Sequence, residues 1–345
     1  MLTLGIESTC DETGCAIVRN GSEILANVIS SQIDLHNEFG GVVPELACRR
    51  HIDVMLPVID EAVKQAQITL TDIDLIAVAH GPGLIGALLI GLHAAKGLAL
   101  TLQKPLVGVN HVEAHLYAAI MSLQEPIEFP AIGVVLSGGH TALVTMHSPD
   151  RFSLISQTVD DAIGEAFDKA AKILGLPYPG GPQIEMLAET GKSTHVFKPG
   201  TVKGRPLDFS FSGLKTAVLY AARGQNGNEE SRVLTDIEKA NIAASFQHIA
   251  FSDVIKKTLQ AASQGGSIHV VFGGGVTNNQ KLREMFGQLA PQLKLHWPNV
   301  GLSLDNAAMI AGLGHHCYLR EKQDACLHLE AVTRLPFSNT TRGPQ

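Results

Sequence analysis

Two stretches decide the fold: residues 4–18 read LGIESTCDETGCAIV, and residues 132–146 read IGVVLSGGHTALVTM. Each consists of an apolar run, a short turn of small and polar residues, and a second apolar run. When the two stretches are aligned, apolar positions match on both arms. Each therefore predicts a β-hairpin, and the recurrence predicts that the chain contains two copies of one structural unit.

The segments that follow each hairpin also correspond. The first half predicts a third strand at 23–30, a helix at 44–65, a strand at 75–80, a helix from Leu84, a strand at 106–110 and a helix from Val112. In the second half, a strand at 268–272, a glycine turn and a helix from about Asn279 repeat the middle of this series. The segment 300–304 then leads through Asp305 into a helix at 306–318. Strands that alternate with helices predict an α/β fold with largely parallel sheets.

Length and composition agree with this organisation. A chain of 345 residues predicts roughly two domains, and 45% hydrophobic residues suffice for buried cores. Aromatic residues make up only 5%, while there are 34 glycines, which disfavours an all-β sandwich. We predict an N-terminal lobe at 1–125 and a C-terminal lobe at 126–345, with an inserted segment at about 152–232 for substrate-specific contacts.

The charge balance limits the possible partners. Lys and Arg total 26 against 33 Asp and Glu, a net charge of -7, so a uniformly basic surface for unaided nucleic-acid binding is excluded. The five cysteines, Cys10, Cys15, Cys48, Cys317 and Cys326, form no C-x-x-C pair, which favours a reducing compartment. No signal-peptide pattern is present, and the apolar segment 84–102 carries His93 and Lys96, so we predict a buried helix in a soluble cytoplasmic protein.

The two hairpin turns are the first candidate sites. Turns of small residues with accessible N–H groups can hold phosphate without a helix N-terminus, although an ordinary hairpin tip explains either turn alone nearly as well. Asp11 and Glu12 stand at the first turn. There they could bind a cation or accept a proton, or they could be solvated turn residues.

The stretch His111-Val112-Glu113-Ala114-His115 contains two histidines four residues apart. On a helix they lie about 40° apart, so both rings can reach one metal ion. A zincin would need its glutamate directly after the first histidine, whereas Glu113 lies about 200° around the helix, which excludes a metalloprotease of that type. Asp305, at the matching junction of the second repeat, is the candidate third ligand, with a helix N-cap as the alternative.

Two glycine motifs follow predicted strands. The match Gly81-Pro82-Gly83-Leu84-Ile85-Gly86 lacks the acidic residue that dinucleotide sites carry about 20 residues on, so we interpret it as a close-packing turn. The run 273–275 suits a nucleoside at the edge of a sheet, with a generic β–α turn as the alternative. The basic clusters at 49–51, 198–205 and 256–257 are by themselves too sparse to be a nucleic-acid signature, and solvated surface explains most of them.

Seven motifs together resemble the TsaD family, the tRNA adenosine threonylcarbamoyltransferases of the actin/sugar-kinase/Hsp70-like ATPase superfamily. In chain order they are GIESTCDET, NHVEAH, LSGGHT, EAFDKAAKILGLPYPGGP, DFSFSGLKT, GGGVTNNQKLR and DNAAMIA. The resemblance implies two lobes of one duplicated fold around a nucleotide- and metal-binding cleft. It also implies transfer of a threonylcarbamoyl group from threonylcarbamoyl-AMP to N6 of the adenosine at position 37, next to the anticodon, in tRNAs that read codons beginning with A.

The resemblance also implies the site residues. One divalent metal ion, iron or alternatively zinc, is expected on His111, His115 and Asp305. The acyl and phosphate part of the donor is expected on the turn formed by Leu136, Ser137, Gly138, Gly139 and His140. The nucleoside part is expected on Asp168, Gly181, Glu185 and Asn279, with Asn278 as the alternative to Asn279. Apart from the resemblance, the position of Asp11 and Glu12 at the first turn makes one of them the expected proton acceptor.

The family implies partner proteins as well: TsaB in a heterodimer, the ATPase TsaE, and a separate enzyme that makes the adenylate. No membrane partner is expected. Two other function classes stay open at this point, a small-molecule or sugar kinase of the same superfamily and a non-catalytic nucleotide-binding switch. Metal content and a product on tRNA distinguish the transferase from both.

Overall fold

The computed structural model describes residues 1–224, 234–322 and 328–337. The described residues group into two compact units. Unit 1 comprises Met1–Ile127, Met146–Ser153 and the described part of His296–Thr341, and unit 2 comprises Glu128–Thr145 and the described part of Leu154–Leu295. The sequence-based limits of 1–125 and 126–345 for two lobes stay a prediction.

The elements follow the predicted alternation of strands and helices. The first half contains β1 Leu2–Glu7, β2 Glu12–Arg19, β3 Glu23–Ser31, α1 Ile33–Asn37, α2 Pro44–Gln65, β4 Leu75–Gly81, α3 Ile85–Leu102, β5 Leu106–Asn110 and α4 His111–Met121. The second half contains β6 Ala131–Leu136, β7 Thr141–Ser148, β8 Arg151–Gln157, α5 Ile163–Ile173, α6 Gly180–Glu189, α7 Ser212–Arg223, α8 Asp236–Gly265, β9 His269–Gly273, α9 Gln280–Leu289, β10 Lys294–His296 and α10 Ala307–Glu321.

The two sheets have the same topology. The first has the order β3-β2-β1-β4-β5, and the second, taken from the other edge, has the order β8-β7-β6-β9-β10. In the first sheet β1 and β2 are antiparallel while β1, β4 and β5 are parallel, and in the second sheet β6 and β9 are parallel. The predicted duplication of an α/β unit is confirmed, and each predicted hairpin is present.

One predicted correspondence was wrong. The sequence comparison had matched the segment 300–304 to the strand that precedes His111, which is β5, whereas the strand that precedes α10 is β10 at Lys294–His296. The segment 300–304 lies in a run of turns and bends, and Gly301 has a φ of +91°. Residues of an extended strand have negative φ angles, so Gly301 does not belong to a strand. β8 lies within the segment 152–232 that we expected to be an insertion, and it takes the place in the second sheet that β3 has in the first.

Unit 1 has a core on each face of its sheet. One cluster joins the sheet to α2 and α3, and the other joins it to α4 and α10. α10 packs closely on the sheet because two glycines at the contact have no Cβ atom. A Cβ at Gly5 would clash with the carbonyl oxygen of Ala307, and one at Gly314 would lie 2.5 Å from the Cβ of Ala77. This close approach places the start of α10 over β1 and β2.

The apolar helix α3 is buried on one face only. It is long and apolar enough to cross a membrane by length and composition, and 33% of that window is buried. Ile85, Leu89 and Leu100 are 48%, 38% and 67% exposed. The predicted buried helix is therefore corrected to a helix that packs on α2 and the sheet and leaves an apolar stripe accessible.

The glycine motif at 81–86 agrees with the sequence analysis. Cβ atoms at Gly81 and Gly83 would clash with the backbone of Val332 and Thr9, so the glycine motif is the close-packing turn that we predicted. Cys10, Cys15, Cys48 and Cys317 are free thiols, and Cys326 lies outside the described residues.

Candidate functional site

The candidate metal ligands come together at the carboxyl ends of parallel strands in unit 1. α4 begins at His111 directly after β5, and the side chain of Asn110 caps it by accepting a hydrogen bond from the backbone N–H of Val112 at 3.0 Å. α10 begins at Ala307, and its N-cap is Asn306, whose Oδ1 accepts from the N–H of Met309 at 3.1 Å. The alternative role of Asp305 as the N-cap is therefore excluded.

His111, His115 and Asp305 form one cluster. The Nε2 atoms of His111 and His115 lie 3.6 Å and 3.2 Å from Oδ1 of Asp305, and the three ligand atoms lie within 4.8 Å of one another. Ligands at about 2.1 Å from one ion in tetrahedral geometry would be about 3.4 Å apart. The spacing therefore fits a single metal ion.

The hydrogen bonding of the histidines also fits a metal ion. Among the described residues, neither ring nitrogen of the buried His115 has a hydrogen-bond partner of acceptable geometry, although Asp305 is near. Buried polar atoms usually have such partners. An ion bound between the two histidines and Asp305 would satisfy Nε2 of His115.

Glu7 is a residue that the sequence reasoning missed. It is the last residue of β1 and fully buried, and its Oε2 lies 2.9 Å from Nδ1 of His111. Its Oε1 accepts from the N–H of Thr9 at 2.6 Å. A carboxylate that accepts from one ring nitrogen of histidine leaves the other available for a metal. The available signal was a carboxylate at the end of a buried strand.

The carboxylates at the first turn lie in the electrostatic environment of this cluster. Burial, together with the charges of Asp305 and Asp11, raises the pKa of Glu12 to about 9. Burial alone would lower the pKa of His111, but the charges of Glu7 and Asp305 outweigh it and raise that pKa to about 9. Asp11 is buried, and Glu12 accepts a hydrogen bond from Ser31 at 3.2 Å.

The second turn lies in unit 2 between β6 and β7. Leu136 ends β6 and is buried, and the turn closes through the N–H of Ser137, which donates to the carbonyl of His140 at 2.9 Å. Gly138 and Gly139 are exposed, and a Cβ at either would have no described atom within 4 Å. The turn therefore has room for a ligand directly above its backbone.

The start of α5 supports this turn. The N–H of Ile163 donates to Oγ1 of Thr141 at 2.8 Å, and the N–H of Gly164 donates to the carbonyl of Ser137 at 3.2 Å. A Cβ at Gly164 would lie 2.8 Å from Ser137 O and Gly138 Cα. The partial positive charge of a helix N-terminus therefore lies beside a turn that suits an anionic group.

Two hydrogen bonds join the segments that carry the four residues expected at the nucleoside. Asp168 on α5 accepts from the N–H of Gly180, next to Gly181, at 2.7 Å, and Glu185 on α6 accepts from the N–H of Gln280, next to Asn279, at 2.6 Å. A Cβ at Gly181 would meet no described atom within 4 Å. The amide of Asn279 has structural partners, because it caps α9 through Leu282 and donates to Gln247 at 2.9 Å.

The glycine turn after β9 packs beside the same site. Gly274 has a φ of +96°, and a Cβ there would clash with the carbonyl of Leu136. Its carbonyl accepts hydrogen bonds from both the N–H and the hydroxyl of Thr277, at 3.0 and 2.7 Å. The close approach of Gly274 to Leu136 joins the end of β9 to the end of β6.

Comparison with known proteins agrees with these features. A family model described as TsaD, tRNA N6-adenosine threonylcarbamoyltransferase, matches residues 23–312. A tRNA N6-adenosine threonylcarbamoyltransferase of Protochlamydia amoebophila is 62% identical over 98% of this chain and 99% of the relative. One of Chlamydia caviae is 50% identical over 95% of each chain.

Solved structures support the fold alone. Full-length HypF matches 94% of this chain and 47% of its own with a TM-score of 0.61 and 13% identity. Component A of the (R)-2-hydroxyglutaryl-CoA dehydratase of Acidaminococcus fermentans matches 94% of this chain and 100% of its own with a TM-score of 0.51 and 15% identity. Both agree with the predicted duplicated ATPase-like fold of two α/β lobes.

Proposed function

Because the chain belongs to the TsaD family, whose members are tRNA N6-adenosine threonylcarbamoyltransferases, we propose specific roles in this reaction for the residues of the two sites. The activity is acyl transfer to tRNA, and the family match favours it over phosphorylation by a kinase. The identity of 62% over nearly the whole chain carries this conclusion.

In unit 1, His111, His115 and Asp305 bind one divalent metal ion, with iron preferred over zinc. Their mutual distances and the unsatisfied ring of His115 support this assignment. A bound ion would act as a Lewis acid on an oxygen of the donor. Glu7 accepts the Nδ1–H of His111, which fixes the tautomer and turns Nε2 towards Asp305.

In unit 2, the turn of Ser137, Gly138, Gly139 and His140, with Leu136 before it, binds the phosphate and acyl part of threonylcarbamoyl-AMP. The open space above both glycines and the adjacent start of α5 support this role. Asp168, Gly181, Glu185 and Asn279 bind the nucleoside part. The structural partners of Asn279 make Asn278 the alternative here.

The transfer itself needs little covalent help from the protein. The donor is a mixed anhydride, so AMP is a good leaving group, whereas the N6 amine of adenosine is a weak nucleophile because its lone pair is delocalised into the ring. The amine attacks the carbamoyl carbon, the bond from that carbon to the phosphate oxygen breaks, and the amine loses one proton. Asp11 or Glu12 was the expected acceptor of that proton, and Asp11 is preferred, because a pKa of about 9 leaves Glu12 protonated at neutral pH.

The apolar stripe of α3, together with two exposed apolar residues of α2, supports a heterodimer with TsaB. Ile52 and Leu56 on α2 are 59% and 70% exposed, and α2 packs against α3 with its exposed Ile85, Leu89 and Leu100. Exposed apolar patches of this kind mark protein interfaces. Leu56→Glu with Leu100→Glu should abolish co-purification with TsaB, whereas parent-like co-purification would contradict the assignment. The ATPase TsaE is the second protein partner, a separate enzyme makes the adenylate, and the assembly is cytoplasmic.

One reaction tests the function. The protein is incubated with its partners, threonine, bicarbonate, ATP and unmodified tRNA, and the tRNA is digested to nucleosides. We expect threonylcarbamoyladenosine from the parent chain and a much smaller amount from the Asp305→Ala variant. Absence of this nucleoside with every partner present would refute the function.

A further inference from the structure

One irregular segment of unit 2 differs in charge from the rest of the chain. Residues 190–207, here named the basic coil, contain Lys192, Lys198, Lys203 and Arg205 and no acidic residue, in a chain with seven more acidic than basic residues. The three lysines are exposed. The basic coil follows α6 and ends just before Asp208.

The backbone of the basic coil is held against unit 2, so its side chains project from a fixed base. The N–H of Lys192 donates to Oδ1 of Asn241 at 2.7 Å, and the N–H of His195 donates to Oγ of Ser245 at 3.0 Å, both on α8. Cβ atoms at Gly191 and Gly200 would clash with the carbonyls of Ala240 and Ser210. The backbone of the basic coil therefore needs little reorganisation when its lysines bind a ligand.

The charge of Arg205 is used within the protein. Its Nη1 lies 2.9 Å from Oδ2 of the buried Asp208, and the N–H of Asp208 donates to the carbonyl of Arg205 at 3.1 Å. This turn fixes the end of the basic coil. Among the lysines and the arginine of the basic coil, the three lysines are consequently the residues whose charges face solvent.

The basic coil ends close to the second turn. The N–H of Val159 donates to the carbonyl of Phe209 at 3.0 Å, and the N–H of Thr158 donates to the carbonyl of Thr141 at 2.9 Å. Phe209 is thus two strand spacings, about 10 Å, from Thr141, the residue that follows the second turn. An RNA whose reacting base reaches that turn has flanking nucleotides within reach of the end of the basic coil.

We propose that Lys192, Lys198 and Lys203 bind phosphates of the anticodon arm of the substrate tRNA. This rests on the proposed function, which places the acyl donor at the second turn. Lysine ammonium groups neutralise phosphates and release counterions without reading bases. Such binding suits an enzyme whose substrates share the modified position but differ in sequence.

The test replaces the three lysines together, Lys192→Gln, Lys198→Gln and Lys203→Gln, in the chain assembled with its partners. At about 100 mM salt we expect the Kd for tRNA to rise roughly 10-fold or more, and the slope of log K against log salt to fall by about 2 to 3. The isolated anticodon stem-loop should show the same losses. The triple Lys→Arg variant should bind like the parent.

A matched control removes three exposed lysines from elsewhere in unit 2, through Lys256→Gln, Lys281→Gln and Lys294→Gln. It should change the salt slope by less than about 1. The proposal is overturned by a parent-like slope in the first variant, by an equal loss in the control, or by a loss confined to full-length tRNA. If the first variant still formed threonylcarbamoyladenosine at saturating tRNA, the transferase function would stand although this proposal had failed.

Discussion

The turn at residues 8–11 and the turn at residues 137–140 occupy the same place in two copies of one unit, between the first two strands of each sheet. They differ in burial and in charge. The first turn is covered by α3, since Gly83 lies against Thr9 and Ser8 donates to the carbonyl of Ala87 at 2.9 Å. The second turn is open above Gly138 and Gly139.

The difference shows how one backbone unit supports opposite chemistry. Glu7, Asp11 and Glu12 surround the first turn with carboxylates, and they lie in the same unit as two histidines and Asp305. The second turn has no carboxylate of its own, and the N-terminus of α5 lies beside it. The side chains therefore suit the first turn to binding a cation and the second turn to binding an anion. Variants can test this division.

The largest expected effect follows from removing a metal ligand near the first turn. His115→Ala should reduce the bound metal to near zero per chain and lower the transfer rate roughly 1,000-fold, because a lost Lewis acid is worth several kcal/mol. Metal analysis of the purified protein and the nucleoside assay measure the two effects. His147→Ala, an exposed histidine on β7, is the control and should change neither. Full metal content in His115→Ala would contradict the ligand assignment.

The next effect should be confined to the second turn. Gly164→Ala places a methyl group 2.8 Å from the backbone of Ser137 and Gly138, so the turn must shift. We expect donor affinity to fall about 30-fold while metal content stays unchanged, since a displaced donor site loses several hydrogen bonds. Calorimetry with a stable donor analogue measures this.

Its control is Gly287→Ala on α9, where no described atom lies within 4 Å of the added Cβ. This substitution should leave donor affinity unchanged and stabilise the helix by about 0.5–1 kcal/mol. If Gly164→Ala lost metal instead of donor affinity, the division of roles between the turns would be wrong.

A smaller effect concerns the residue behind the first metal ligand. Glu7→Gln keeps the size of the side chain but weakens the acceptor for Nδ1 of His111, so metal affinity should fall about 10- to 100-fold. Competition with a metal indicator measures affinity independently of transfer. Glu113→Gln, a buried glutamate on the same helix as the histidines, is the control. Equal metal affinity in parent and Glu7→Gln would show that Glu7 only fills space.

Much of this arrangement could be predicted from the sequence. Hydrophobic periodicity gave the hairpins and α2, since local patterns determine such elements. The spacing of His111 and His115 predicted a shared metal because both lie on one helix. Asp305 joined them through a match between repeats and through the family resemblance, and the close packing of α10 on Gly5 explains how it reaches the two histidines.

What the sequence could not predict depends on long-range packing. Glu7 contacts a histidine 104 residues away in the chain, and no local pattern marks that contact. The choice of Asn306 over Asp305 as N-cap depends on backbone geometry at a single residue. The exposed face of α3 likewise follows from which helices pack around it, because its composition is apolar throughout.

The smallest effect concerns an acidic residue that lies close to the second turn in unit 2. Asp160 accepts hydrogen bonds from the N–H of Phe211 at 2.8 Å and from the hydroxyls of Ser210 and Ser212 at 2.6 and 2.8 Å, at the start of α7. Partial burial acts to raise the pKa of Asp160, but these hydrogen bonds outweigh it and hold the pKa below its usual range. Its carboxylate is therefore engaged as a helix cap.

Asp160→Asn should lower the free energy of unfolding at pH 7 by about 0.5 kcal/mol, allowing for solvent screening of this exposed group. Because the folded-state pKa lies below the unfolded value, the stabilisation is present above about pH 4 and is lost as the pH falls through the folded-state pKa. The gap between parent and variant in chemical denaturation should thus narrow below that pH. Metal content should stay that of the parent. A difference in unfolding free energy that did not change with pH, or a loss of metal, would mean that this carboxylate is not simply a cap. The second turn would then be less distinct from the first than its open, uncharged backbone indicates.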